Sequence, residues 1–106
     1  MSIISTAGRL TTIINVFAVA EGDQQRLVEL LSRATTSSVR LQPGFVSAAL
    51  HRSLDGTKVT MYAQWQTLAD YQRMRADPRA SPFLEEAMTI ARFDPGIYEV
   101  VETFEP

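Results

Sequence analysis

The sequence predicts an α+β fold with elements in the order β-α-β-β-α-β, and three observations carry that prediction. Runs rich in Ile, Val, Thr and Phe alternate with a run whose leucines recur at helical spacing. Asp55-Gly56 stands between two strand-like segments and is a strong short-range hairpin signal. Pro43-Gly44, Thr67 and Pro82 fall where helices should stop or start. The order is that of the ferredoxin-like, split β-α-β arrangement: a four-stranded antiparallel sheet with helices on one face.

Residues 1 to 8 are small and polar and are expected to form a flexible tail, leaving residues 9 to 106 as one domain. Leu10 to Ala20 reads as the first strand, with Ile13, Asn15, Phe17 and Val19 on one face and Thr12, Ile14, Val16 and Ala18 on the other. The segment "EGDQQRLVELLSRATTSSVRLQPG" reads as a helix: Asp23 is the expected N-cap, and Leu27, Leu30, Leu31 and Ala34 form its apolar stripe. "FVSAALHRS" and "KVTMYAQWQ" are the hairpin strands. A second helix starts at "TLADYQRM" under a Thr67 cap, breaks at "ADPRASPF" and resumes over "PFLEEAMTIARF". "IYEVVETFE" is the expected fourth strand. Both faces of the first strand are largely apolar, and a small domain buries little surface alone. A homodimer packed sheet to sheet through the open face is therefore expected.

Ten Lys+Arg against twelve Asp+Glu give a net charge of −2, with both signs scattered. No basic patch points to nucleic acid. The absence of cysteine removes disulfides and thiolate chemistry, and the single histidine, His51, cannot build a multi-histidine centre within one chain. No metal is expected. "LTTIINVFAVA" ends like a signal-peptidase site, but Thr11, Thr12 and Asn15 dilute its apolar run, so a cytoplasmic protein without a membrane span is expected.

The lone tryptophan, Trp65, ends a strand whose same-face neighbours are Met61 and Ala63. The small Ala63 leaves room beside the indole. Asn15 sits among apolar residues, where a buried amide needs partners. If both side chains point under the helices, they share an apolar chamber with few polar groups, the usual make-up of a small-molecule site. The placement of His51 depends on the hairpin. A two-residue Asp55-Gly56 loop puts it on the face of Tyr62, and a three-residue loop puts it on the face of Trp65; glycine suits both.

The stretch "PGFVSAALHRSLDGTKVTMYAQWQTLADYQRMRADPR", residues 43 to 79, resembles the antibiotic biosynthesis monooxygenase family. It is especially similar to the small cofactor-independent oxygenases that convert anthrones to anthraquinones. The matching residues are Pro43-Gly44-Phe45, His51, Asp55-Gly56-Thr57, Tyr62-Ala63-Gln64-Trp65, Tyr71 and Ala76-Asp77-Pro78-Arg79. The resemblance implies a dimeric α/β barrel type of assembly and a pocket between sheet and helices. It also implies Asn15, Trp65, His51 and Tyr71 as catalytic residues. It favours the loop that turns His51 toward the pocket. Phe17, Met61, Ala63, Arg79 and Phe83 are the expected pocket wall. Two positions depart from the pattern. Some anthrone oxygenases carry asparagine at the position of Met61 and arginine near Leu84-Glu85, for which Arg79 and Arg92 are the nearest substitutes.

The implied reaction needs no cofactor other than molecular oxygen as co-substrate, and the implied partner is a small aromatic substrate. Three other readings compete. They are an isomerase or cyclase on the same scaffold, a dimeric ligand-binding module, and a heme-degrading relative. The last is opposed by the lack of histidine in residues 68 to 92.

Overall fold

The computed structural model describes residues 10–79 and 81–106. The expected tail over residues 1 to 8 lies outside the described residues. Strand β1 (Thr11–Val19) leads through a 3-10 turn into helix α1 (Gln24–Ser37). Strands β2 (Phe45–Arg52) and β3 (Lys58–Trp65) form the hairpin. Helices α2 (Leu68–Arg75) and α3 (Ser81–Ile90) precede strand β4 (Ala91–Tyr98). The sheet order is β2-β3-β1-β4 with every pairing antiparallel, as the ferredoxin-like reading requires.

The leucine stripe of α1 does what its spacing implies. Leu27, Leu30, Leu31 and Ala34 are all buried, each leucine contributing roughly 1.5–3 kcal/mol by leaving water. Asp23 stands at the N-cap position but makes no side-chain cap, because the preceding 3-10 turn has already placed it in helical backbone. Thr67 does cap α2: its Oγ1 accepts from the Asp70 amide at 3.1 Å. α1 stops at Ser37, before Pro43-Gly44, and a second 3-10 turn fills the gap.

The fourth strand is the main correction. It covers Ala91–Tyr98 rather than "IYEVVETFE", and it follows α3 without a loop. The alternation in residues 97–105 is real, but β1 decides which residues pair. Its open edge runs from Thr12 opposite Tyr98 to Val19 opposite Ala91, and Phe93 stacks on Phe17 at 5.5 Å to fix that register. Pro95 sits in this strand, which lies at the sheet's edge, where a missing N–H is tolerated. Residues 99–106 continue beyond it without regular structure, and Val101 and Phe104 are exposed.

The layer between sheet and helices has two parts. Phe17, Val19, Leu27, Leu31, Val59 and Ala87 form one closed cluster. Ile13, Ala63, Trp65, Tyr71 and Met74 form another, and Met61 packs against both.

Candidate active site

A cavity of about 270 Å³ lies against the second cluster. Its floor follows from sheet register. Ala48 pairs with Ala63, and Ala63 pairs with Ile13, so two methyl side chains stand side by side where larger ones would fill the space. The next row is Leu50, Met61 and Asn15. Asn15 is thus the direct cross-strand partner of Met61. The amide enters the cavity from β1, one strand over from Met61.

The far wall is aromatic. Trp65, 1% exposed, meets Phe45 edge to face at 5.4 Å and Tyr71 at 6.2 Å. Phe45 reaches this side only because of a β-bulge. Ala48 and Leu50 face the helices, so strict alternation would turn Phe45 outward. Val46 is left unpaired between Phe45 opposite Trp65 and Ser47 opposite Gln64, and the extra residue turns Phe45 inward. Gly44, at φ +89, lies against the Asp70 side chain where a Cβ would collide with it, and its carbonyl accepts from the Gln66 amide at 2.7 Å. That contact ties the start of β2 to the start of α2, and so fixes Trp65 and Tyr71 relative to each other.

Asn15 is the polar anomaly. Its Oδ1 is buried with no hydrogen-bond partner, and Nδ2, the more accessible end, has none among the described residues either. An amide left unpaired beside a cavity is costly unless something that enters the cavity completes it.

The expected residues divide cleanly. Asn15, Phe17, Met61, Ala63, Trp65 and Tyr71 line the cavity together. His51 does not. It pairs with Thr60, on the face of Tyr62, and is exposed. The cause lies in the loop. Asp55 Oδ1 accepts from Ser53 Oγ, Thr57 N and Thr57 Oγ1 at 2.8, 3.0 and 2.6 Å, while Ser53 and Lys58 close the ladder. This holds the even register, in which Leu54 lies opposite Thr57, against the one favoured by the resemblance. Hydrogen bonds from Thr57 and Ser53 also lower the Asp55 carboxyl from 3.8 to about 2.

Arg79 is absent from the wall for a different reason. Its guanidinium grips Asp77 through Nε and Nη2 at 3.1 and 2.8 Å, which pushes the Asp77 carboxyl well below its usual range and the arginine up. Phe83 is also not among the lining residues; its α3 neighbours Leu84 and Glu85 take that place.

Sequence reasoning missed Arg75, Glu85 and Phe93 on the wall. Arg75 is the cation the cavity has in place of Arg79 or Arg92. It donates from Nη1 to the Tyr71 hydroxyl at 2.9 Å, and its guanidinium lies 5.9 Å from the Tyr71 ring centre and 5.5 Å from that of Phe93. The signal was present in the spacing, since Tyr71 and Arg75 are four apart on one helix. Among the described residues, no group of three or more His, Cys, Asp or Glu side chains is arranged to hold a metal, and no helix is long and apolar enough to cross a membrane.

The fold recurs in known proteins. Tetracenomycin-F1 monooxygenase of Streptomyces glaucescens is 41% identical over 104 residues, covering 98% of this chain and 93% of that protein. The ActVA-Orf6 monooxygenase of Streptomyces coelicolor, solved with nanaomycin D, superposes with a TM-score of 0.82 at 28% identity, over 93% of this chain and 94% of that one. SnoaB of Streptomyces nogalater, a cofactor-independent oxygenase, shares the fold with a TM-score of 0.79 at 23% identity, over 92% and 99% of the two chains. With its residues 11–86 matching the family pattern and this relative at 41% identity, the chain belongs to the antibiotic biosynthesis monooxygenase family.

Proposed function

We propose that the protein is a cofactor-independent monooxygenase that oxidises an electron-rich, anthrone-like polycyclic aromatic with molecular oxygen. The carrying observation is the unpaired Asn15 amide beside an aromatic-walled cavity. The relatives named above, a tetracenomycin-F1 monooxygenase and a cofactor-independent oxygenase among them, support the same reaction class.

An anthrone supplies its own reducing electrons. Loss of a ring C–H proton gives a delocalised anion, which reduces oxygen and forms a C–O bond. The resulting peroxide loses water and leaves a quinone carbonyl, so one oxygen atom ends in product and the other in water. The protein binds and orients the rings and stabilises the anion, commonly the largest catalytic contribution. Asn15 Nδ2 donates to the developing oxyanion, and Trp65 stacks on the rings. His51 faces away and has no role in this reading. In this reading the ring proton goes to Glu85, an exposed carboxylate that lines the cavity.

The reading includes a homodimer formed through the open sheet face, acting in the cytoplasm. Ile14, Val16 and Tyr62 on that face support it, as does the exposed Tyr98, which lies opposite Thr12 on the same face. Light scattering of the purified protein measures the mass of the assembly.

Oxygen uptake with dithranol tests the chemistry, using metal-stripped protein beside Trp65→Phe and Asn15→Ala. Uptake that survives chelation and falls about 10²- to 10³-fold in Asn15→Ala is expected. Uptake no faster than the spontaneous rate, from folded protein, would remove the oxygenase reading and leave isomerisation or binding.

A further inference from the structure

We infer that Arg75 is a positioning residue that fixes the Tyr71 hydroxyl as a hydrogen-bond donor to an anionic oxygen of the substrate. The inference rests on the proposed reaction for its substrate but on the structure for its direction. An arginine N–H can only donate, so at 2.9 Å the Tyr71 oxygen must accept. The tyrosine's own proton is then free. Among the described residues nothing accepts it, although Tyr71 itself is buried and lines the cavity.

Arg75 is held in this role from two sides. Its guanidinium lies over the Tyr71 and Phe93 rings, and Phe93 in turn stacks on Phe17. No carboxylate among the described residues pairs with it, in contrast to Arg26, Arg73 and Arg79. Its charge is therefore left to act through the hydroxyl. A donor backed by an unneutralised cation favours a phenolate or enolate over the neutral phenol or ketone, which is the charge that appears when the ring proton leaves. Tyr71 is accordingly a stabiliser of the anion and not the base that creates it. Carboxylates near this arrangement bear on it as well: Glu85 lines the same cavity without pairing to Arg75, which fits a division of labour between proton acceptor and anion stabiliser.

Two measurements test this. The first is a double-mutant cycle on oxygen uptake with Arg75→Met, Tyr71→Phe and the pair. Each single change is expected to lower kcat/KM about 10- to 100-fold, and the double variant to be no worse than Tyr71→Phe alone. Arg75→Lys, which still donates, should recover part of the loss. Additive losses, or full loss in the lysine variant, overturn the inference. The second needs no turnover. Alizarin changes colour when a phenol ionises, and bound to the wild type it should ionise about one pH unit below its value in water. That displacement should vanish in Arg75→Met and in Tyr71→Phe. Its persistence in either variant, or its absence in the wild type, overturns the inference. Loss of oxygen uptake in the wild type with the colour displacement intact would sink the oxygenase reading alone.

Discussion

The two ends of the layer under the helices are built from similar residues and do opposite things. At the closed end Val19, Leu27, Val59 and Ala87 fill the space between strands and helices, and Phe17 and Leu31 of the same cluster form its border with the cavity. At the hollow end the alanine row of Ala48 and Ala63 lowers the floor, while Trp65 and Phe45 stand at its border. One end spends its apolar surface on stability and the other holds it for a ligand. Hydrophobicity does not separate them; side-chain volume at a few register positions does.

Filling the hollow end has the largest expected effect. Ala63→Phe should lower turnover by about 100-fold or more, because the ring occupies the place of the substrate. Overpacking costs about 1–3 kcal/mol, which thermal melting will register while the protein stays folded. Retained turnover would mean that the cavity is not where the chemistry occurs. The converse change is Leu27→Ala at the closed end. It should cost about 2–5 kcal/mol in urea unfolding, with kcat/KM per folded molecule unchanged.

Asn15→Leu separates stability from turnover. Removing an unpaired buried carbonyl should stabilise the free protein by about 1 kcal/mol while turnover falls, a gain and a loss read from the same variant. His51→Ala, on the other face, should leave turnover within about twofold of wild type, since it touches no substrate. The smallest effect is at the hairpin. The Asp55 carboxyl is held near 2 in the folded protein against an ordinary 3.8. A depressed folded value means the stabilisation is complete above about pH 4 and disappears as pH falls toward 2. Melting curves of Asp55→Ala should accordingly lie below wild type at neutral pH and converge with it near pH 2.

What the sequence made legible was whatever repeats. The α1 stripe and the element order have periods, and periods survive without a structure. The cavity residues of β1 and β3 were legible for the same reason, because alternation placed Asn15 with Phe17 and Met61 with Trp65. His51 was not, since one loop residue more or less reverses its face, and the decision lies in three hydrogen bonds to Asp55. Nor could residue type say which arginine serves the cavity. Arg79 has Asp77 two residues away to capture it, whereas Arg75 has a tyrosine one helical turn back. The fourth strand was misplaced because alternation marks residues able to pair, while the length of β1 marks those that do.

Pro95 carries a consequence of another kind. A sheet of four strands has two rims, and a rim with unpaired N–H groups is a template on which further chains can accrete. The outer rim formed by β4 is broken at its middle by a residue that has no N–H to offer. Growth by adding strand after strand stalls there. A single imino acid thus removes one route to fibres from this rim.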